Sequence, residues 1–333
     1  MSSAIRSNYL RSSRHTTHYL EAGEVGAPLV IFVHGWPELS LSWRHQLPFV
    51  ANLGYHAVAP DMRGYGESSQ YKKHEDYALR EIVQDMLELL EHLGQRQAIW
   101  VGHDWGCGVV WSLARHHPAQ CRAVANLCVP YATLEKGWDG FLPHVDRHVY
   151  PMQDFPAGQW EYMRYYEEQF SQATQLFDSA PYQVVKALFR KGNPDGQGQP
   201  SGTAYTRIQD GWFGGNPVPD VPIDTDVVSE EELVIYAQHL QKNTFFGPDS
   251  WYMNHDNNAA YAQLVKDDQL QMPVLFLHGR HDYTCETITS SLAEPMRRKC
   301  HNLIEQIVDS GHWMAQEQPD VVNACLRDWI SSI

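Results

Sequence analysis

The stretch VGHDWGCG, residues 101–108, decides how the rest of the chain is interpreted. A short apolar run, QAIWVGH, leads into it, and a helical pattern extends from just after Asp104 to about His117. A turn this tight between strand and helix strains its apex residue and excludes flanking side chains, which accounts for Gly102 and Gly106. The following helix presents its positive end to the apex and favours an anion there. Asp104 is therefore a candidate nucleophile, although aspartate is also a common N-cap.

Four further apolar runs resemble the one before Asp104: LVIFVHG (29–35), YHAVAPD (55–61), CRAVANLCV (121–129) and PVLFLHG (273–279). Continuous apolar runs of this length are typical of strands buried on both faces. Helical patterns separate them, such as YALREIVQDMLELLEHLG, where apolar residues recur every three or four positions until Gly94. A last helix is predicted from Pro319 to the C-terminus. This alternation predicts an α/β fold with a mostly parallel central sheet and helices on both faces.

The alternation stops at about residue 131 and resumes at Pro273. The intervening sequence contains aromatic-rich helical patterns and a long stretch rich in glycine, proline and polar residues. An insertion between two core strands lies over the edge where open α/β sheets bind ligands. We therefore expect residues 131–254 to form a helical cap, and residues 1–130 and 255–333 to form the two parts of the core.

The composition limits the kinds of molecule that the protein is expected to bind and the compartment in which it is expected to occur. The 333 residues carry a formal charge of −15, which argues against nucleic acid or an anionic membrane, because phosphate binding needs clustered basic residues. No apolar run reaches the roughly 18 residues of a membrane-spanning helix. The six cysteines are scattered without a C-x-x-C pair, which favours free thiols in a reducing compartment and hence the cytoplasm. The sequence does not indicate an oligomeric state.

A nucleophile of this kind needs a base and a group that orients the base. His312, in the glycine-containing loop VDSGHW after a predicted strand (residues 302–308), is the candidate base. Asp282, just after the run at Pro273, is the candidate orienting acid, so the order along the chain is nucleophile, acid, base. Asp309 is a rival acid, but its closeness to His312 in sequence favours a role in holding the loop.

The stretch HGWPELSLSW (residues 34–43) follows the first buried run. Here the backbone N–H groups of Trp36 and Trp105 are expected to form an oxyanion hole. The Trp36–Pro37 bond is a candidate cis peptide, because cis bonds occur at proline in tight turns. Pro37 and Trp313 are candidates for contact with substrate.

Together, HGWP, DMRGYGESS, GHDWG, the aspartate of GRHDY and the histidine of SGHW resemble an epoxide hydrolase of the α/β-hydrolase superfamily, the soluble type. The resemblance covers almost the whole chain. It implies two cap tyrosines that hold the epoxide oxygen, at positions that look like Tyr162 and Tyr252. Tyr165 and Tyr166 lie one turn from Tyr162 and are alternatives to it. Cys107 departs from the family, which usually has glycine there, and we expect it to affect packing.

The resemblance also explains the carboxylate at position 104. Serine attack on an epoxide carbon would leave an ether, whereas aspartate attack leaves an ester that water can cleave. A vicinal diol is then the product, and no metal or organic cofactor is required. A haloalkane dehalogenase shares the aspartate and histidine and is the nearest alternative; a non-catalytic protein that binds a small ligand is another. The sequence does not identify which epoxide is used, or with what stereochemistry.

Overall fold

The computed structural model describes residues 4–333 and contains one eight-stranded sheet. Across the sheet the strands run in the order β1-β2-β4-β3-β5-β6-β7-β8. The β1–β2 and β2–β4 pairs are antiparallel and all other neighbours are parallel. The strands are β1 (Arg6–Arg11), β2 (Thr16–Ala22), β3 (Leu29–Val33), β4 (His56–Pro60), β5 (Ala98–His103), β6 (Cys121–Leu127), β7 (Leu270–Gly279) and β8 (Cys300–Val308).

The predicted mostly parallel sheet is confirmed. The five apolar runs form β3 to β7, and every residue of β3, β4 and β5 is buried, as expected for strands covered on both faces. The strand predicted at residues 302–308 is β8, which begins two residues earlier. The β1–β2 hairpin was not predicted, because β1 has the sequence RSNYLR and lies largely exposed at the sheet edge.

Twelve α-helices occur in the described residues, and three of them match helices predicted from the sequence. Helix α2 ends just before Gly94, which adopts a φ of 68°, a left-handed conformation that suits glycine. The helices are α1 (Gln46–Asn52), α2 (Leu79–His92), α3 (Trp105–His116), α4 (Trp138–Phe141), α5 (Glu161–Ser179), α6 (Pro181–Leu188), α7 (Glu230–Asn243), α8 (Phe246–Ser250), α9 (His255–Ala262), α10 (Glu294–Lys299), α11 (Met314–Glu317) and α12 (Pro319–Ile330).

The other two predicted helices are α3 and α12. Helix α3 begins directly after Asp104 and ends at His116, one residue before the predicted limit. Helix α12 starts at Pro319, the residue from which the sequence predicted it, since proline suits the first turn of a helix. The sequence therefore located the starts of both helices correctly.

The helices cover the sheet in two groups. Helix α1 packs against β4 and α12, whereas α3 packs against β5, β6 and α2. Between β6 and β7 the described chain contains α4 to α9, several short 3-10 turns and no strand. We call residues 128–269 the inserted segment, and the predicted cap limits of 131–254 fall within it. None of the helices in residues 4–333 combines the length and apolarity needed to cross a membrane.

Candidate active site

Asp104 occupies the apex of the turn between β5 and α3. Its φ of 51° and ψ of −124° are strained for a residue with a side chain, as the sequence predicted. Neighbouring glycines make room for this turn. A Cβ atom on Gly106 would overlap the carbonyl oxygen of Val33, and one on Gly35 would overlap the carboxylate of Asp104. Both overlaps exclude any other residue type at these glycines.

The two carboxylate oxygens of Asp104 have different surroundings. Oδ1 accepts a hydrogen bond of 2.6 Å from the backbone N–H of Trp36, one of the two predicted oxyanion-hole donors. A Cβ atom added to Gly35, which would overlap the Asp104 carboxylate, would also lie 2.7 Å from the backbone nitrogen of Trp105. The Trp105 nitrogen therefore lies close to Oδ1 as well. Oδ2 lies 3.6 Å from His312 Nε2. One oxygen is therefore held by backbone, and the other faces the imidazole.

The other predicted members of the catalytic set also meet here. His312 Nδ1 lies 2.7 Å from Asp282 Oδ2, and the backbone N–H of Cys285 donates to Asp282 Oδ1 at 3.0 Å. Asp309, the rival acid, is exposed instead and lies 3.0 Å from His281 Nε2. The tertiary structure thus brings Asp104, His312 and Asp282 together and leaves Asp309 outside the group.

Burial and charge act in opposite directions on His312 and Asp282. Burial alone would lower the pKa of His312, but the charge of Asp282 and hydrogen bonding with Asp104 and Asp282 raise that pKa well above its usual value. Burial alone would raise the pKa of Asp282, but the charge and hydrogen bond of His312 lower it. The imidazole is therefore readily protonated beside the Asp282 carboxylate.

Glu38 belongs to the site and was missed by the sequence analysis. Its Oε2 accepts from the backbone N–H of Gly35 at 2.9 Å and lies 2.8 Å from His103 Nδ1. His103 Nε2 in turn lies 2.8 Å from the carbonyl oxygen of His312. Burial alone would raise the pKa of Glu38, but His103 lowers it to about 2. The network holds the turn that carries the Trp36 amide and the loop that carries His312 in fixed positions relative to each other. In the sequence, the glutamate directly after HGWP is the feature that could have indicated it.

The two tyrosines favoured by the sequence both line the cavity above Asp104. Tyr162 lies on α5 and Tyr252 in the 3-10 turn after α8, with ring centroids 5.6 Å apart. Burial raises the pKa of both phenols well above 10, and the negative charge of Asp104 acts in the same direction. Of the alternatives, Tyr165 donates toward the carbonyl oxygen of Asp210 at 3.4 Å, and Tyr166 stacks behind Tyr252 with centroids 4.7 Å apart. Neither lines the cavity.

The cavity has a volume of about 150 Å³ and a largely aromatic wall. Trp313 contacts the cavity as expected, whereas Pro37 does not, because its neighbour Trp36 forms that part of the wall. The predicted cis bond between Trp36 and Pro37 is confirmed. The indole N–H of Trp36 donates to Asp249 Oδ1 at 2.9 Å, and that of Trp313 donates to the Leu188 carbonyl oxygen at 2.8 Å. The cavity is lined by Trp36, Asp104, Tyr162, Leu188, Thr203, Trp212, Tyr252, Thr284, His312 and Trp313.

Asp249 is a second buried acid that sequence reasoning missed. Besides Trp36, it accepts a hydrogen bond of 3.0 Å from the hydroxyl of Thr174. Burial raises its pKa to about 8, and the hydrogen bonds from Trp36 and Thr174 only partly offset this effect. Asp249 therefore holds the cavity wall while remaining mostly protonated at neutral pH.

Two groups of side chains could bring three metal ligands within 4.8 Å: His103, Cys128 and His312, and Asp282, Cys285 and His312. Thiols bind metals as thiolates. Burial raises the pKa of Cys128 well above 9 and that of Cys285 to about 12, so both thiols stay protonated. Either donor set would therefore have to lose a thiol proton in order to hold a metal ion.

Cys107, the departure from the family pattern, lies in the first turn of α3. Its thiol donates to the carbonyl oxygen of Leu127 at 3.1 Å, and the residue is fully buried against β6. Burial raises the pKa of this thiol well above 9, so it is not a thiolate at neutral pH. The contact agrees with the expected role in packing.

Comparisons with known proteins agree with this geometry. Residues 28–187 match a family model described as the alpha/beta hydrolase fold. Epoxide hydrolase A of Mycobacterium tuberculosis is 34% identical over 94% of this chain and 94% of its own. Bifunctional epoxide hydrolase 2 of Sus scrofa is 31% identical over 95% of this chain, which spans 53% of that protein. The crystal structure of epoxide hydrolase A from Mycobacterium thermoresistibile superposes with a TM-score of 0.79 at 30% identity, covering 98% of both chains.

Proposed function

The chain belongs to the epoxide hydrolases of the α/β-hydrolase superfamily, and from that premise we propose which of its residues carry each step of the conversion of epoxides to vicinal diols. Asp104 is the nucleophile, Tyr162 and Tyr252 are the acids, and His312 with Asp282 activates water. The proposal rests on the different partners of the two Asp104 oxygens. Oδ1 lies 2.6 Å from the backbone nitrogen of Trp36, whereas Oδ2 lies 3.6 Å from His312 Nε2.

In the first step, Oδ2 of Asp104 attacks an oxirane carbon, because Oδ1 is already held by the Trp36 amide. A carbon–oxygen bond of the oxirane breaks as the new ester bond forms. The departing oxygen takes a proton from Tyr162 or Tyr252, whose phenols are far more acidic than the alcohol produced. Their raised pKa values keep both phenols protonated, and thus able to donate, at neutral pH.

In the second step, His312 acts after ester formation has removed the Asp104 carboxylate, whose hydrogen bond with the imidazole is one of the interactions that raise the pKa of His312. The imidazole then gives up its proton more readily and acts as a general base, held by Asp282. It deprotonates water, and the hydroxide adds to the ester carbonyl carbon while Oδ1 develops negative charge in the oxyanion hole. The bond between that carbon and Oδ2 breaks, and Oδ2 leaves with the diol after taking the proton held by His312. The proton that the hydroxide brought to Asp104 then returns to the tyrosinate, which restores the carboxylate and the phenol.

We also propose the limits of the two domains and the cellular location of the protein. Residues 131–254 form a cap that supplies both tyrosines, and residues 1–130 and 255–333 form the core. This division is supported by the strand-free segment between β6 and β7. The substrate is a small epoxide, with water as co-substrate. A cytoplasmic location is supported by the six cysteines, all of which are unpaired.

The test is to isolate the covalent ester. In His312→Gln, attack by Asp104 remains possible but water is no longer activated, so incubation with styrene oxide should increase the protein mass by one molecule of probe. Peptide mapping should place the adduct on Asp104, and the double variant with Asp104→Ala should show none. His301→Gln, a change at an exposed histidine, is the matched control and should turn over without accumulating an adduct.

Absence of the adduct in His312→Gln, together with normal folding, would contradict the two-step scheme. A haloalkane panel in the same assay tests the dehalogenase alternative by halide release. A departing halide needs no proton, whereas a departing epoxide oxygen does, and the phenols of Tyr162 and Tyr252 in the cavity wall can supply one. We therefore expect diol formation and no halide release.

A further inference from the structure

A second pocket adjoins the catalytic cavity. Its volume is about 280 Å³, and it shares Leu188, Thr284, His312 and Trp313 with the inner cavity as a common wall. An apolar protein cavity of about 150 Å³ accommodates roughly one benzene molecule. An epoxide with a longer substituent must therefore extend past this shared wall into the outer pocket.

Hydroxyl groups stand at the boundary between the two pockets. Within the described wall of the inner cavity, Thr203 and Thr284 carry the hydroxyls that our mechanism does not use. Ser201 joins them: its Oγ lies 2.9 Å from Thr203 Oγ1 and 3.2 Å from Thr284 Oγ1. Ser201 and Thr203 belong to the inserted segment, whereas Thr284 follows β7, two residues after Asp282. The cluster therefore joins the proposed cap to the core beside the catalytic residues.

The hydrogen bonds of this cluster have a direction. Thr203 donates its single proton to the carbonyl oxygen of Gln159 at 2.8 Å. Thr203 must therefore accept from Ser201 or from Thr284, whose Oγ1 lies 3.3 Å away, because each hydroxyl has one proton and two acceptor sites. Within the cluster Thr284 can accept from Ser201 alone, so its oxygen keeps at least one lone pair for a further donor. A hydroxyl group on a substrate is such a donor.

The charges around the outer pocket are balanced. Lys191 pairs with Asp226 at 2.6 Å, and His281 lies 3.0 Å from Asp309. Arg190 lies 3.8 Å from Asp224. The outer pocket therefore offers polar surroundings without an uncompensated cation, which suits a neutral polar substituent better than a carboxylate.

We propose that this enzyme prefers epoxides whose substituent carries a neutral hydroxyl group, which donates to Thr284 Oγ1 as the substituent passes into the outer pocket. Thr284 is then a specificity-determining residue. This inference rests on the proposed function, because Asp104 must hold the oxirane in the inner cavity for the substituent to reach Thr284.

The experiment compares two nearly isosteric probes, 2-(glycidyloxy)ethanol and glycidyl propyl ether, which differ by a hydroxyl in place of a methyl group. The measured quantity is the ratio of kcat/KM for the hydroxyl probe to that for the methyl probe. Thr284→Val removes the hydroxyl at nearly constant shape and should lower the ratio about five- to tenfold, the effect of one neutral hydrogen bond. Thr284→Ser keeps the hydroxyl and should hold the ratio within about twofold of wild type.

An unchanged ratio in Thr284→Val would overturn the proposal. Wild type alone gives a second test that does not depend on the variant folding: its ratio should be at least one, and a clear preference for the methyl probe would also overturn it. A third probe, glycidyloxyacetate, should be a poorer substrate than the hydroxyl probe, and the reverse order would contradict the neutral character assigned to the pocket. If the enzyme turned over none of the three probes and did not turn over styrene oxide either, that result would instead count against the proposed function.

Discussion

At the scale of single residues, the site depends on how neighbours adjust the protonation of a few groups. Asp104 and Asp282 together favour the protonated form of His312, and burial keeps Tyr162 and Tyr252 protonated. The same enzyme therefore has an acid ready for ring opening and, after the ester has formed, a base for its hydrolysis. Ester formation removes the charge of Asp104 between the two steps, and with it the hydrogen bond to the carboxylate that helps to raise the pKa of His312.

This charge change predicts different pH dependences for the two steps. Ester hydrolysis needs neutral His312, so its rate should rise with pH through the pKa of His312 in the ester and then level off. Ester formation needs protonated phenols, and because their pKa values are raised, it should not decline between pH 7 and about 9.5. Single-turnover kinetics followed by tryptophan fluorescence separates the two steps.

Tyr252→Phe serves as the comparison for this experiment. It should slow ester formation by about 100-fold, the loss of one general acid, and leave the pH dependence of hydrolysis in place. A marked decline of ester formation between about pH 7 and 9 in wild type would show that the phenols ionise in that range, and would contradict the assignment of the two tyrosines as acids.

At the scale of elements, the β5–α3 turn sets the position of Asp104, the proposed nucleophile. Its helix starts directly after the strand, so α3 must pass close to the end of β3. Gly106 allows this approach, because a Cβ there would overlap the carbonyl oxygen of Val33, a backbone atom that cannot move alone. Packing of strand, turn and helix therefore places Asp104 beside the Trp36 amide.

Gly106→Ala should accordingly destabilise the fold by at least about 2 kcal/mol, as overpacking does, and reduce activity further by displacing Asp104. Thermal unfolding and diol formation measure the two effects. Gly202→Ala is the matched control, because a Cβ at that position meets no atom within 4 Å, and its melting temperature should stay close to that of wild type. Equal stability of the two variants would contradict the close approach of α3 to β3.

At the scale of the whole molecule, the inserted segment and the core are joined at the cavity wall. Asp249 on α8 accepts from Trp36 of the core and from Thr174 on α5. Arg44 of the core similarly donates to Glu232 on α7 at 2.9 Å and to the carbonyl oxygen of Val227 at 3.2 Å. These contacts link folding of the inserted segment to the shape of the catalytic cavity.

Asp249 should make the stability of the whole molecule depend on pH. Burial raises its pKa to about 8, so between about pH 4 and 8 the folded state keeps a proton that the unfolded state has lost. Stability is therefore expected to fall as pH rises through this range, by up to about 1.4 kcal/mol per pH unit. Asp249→Asn imitates the protonated acid and should flatten this slope in denaturant unfolding from about pH 5 to 8.

The control for this experiment is a matched change at an exposed acid. Asp154→Asn should leave the pH dependence of stability as it is in wild type, because Asp154 lies exposed at the surface. The same dependence in Asp249→Asn as in wild type would show that Asp249 is ionised in the folded protein at neutral pH.

The sequence by itself determined the parallel strands, the turn at Asp104 and the chain order of the proposed nucleophile, acid and base. These features arise from short-range constraints: continuous apolar runs, glycines beside a tight turn and loops that follow strands. The antiparallel β1–β2 hairpin escaped prediction because its edge strand lacks an apolar run. Local patterns therefore suffice where burial or backbone strain restricts the residue type.

Only the tertiary structure decided which side chains support the site. Glu38 and His103 are in contact although 65 positions separate them in the sequence, and Trp36 and Asp249 are in contact although 213 positions separate them. Tyr162 was distinguished from its neighbours on α5 by which face of the helix borders the cavity. The sequence around each of these residues does not identify its partner, because hydrogen bonding between buried polar groups depends on where distant segments meet in the folded chain.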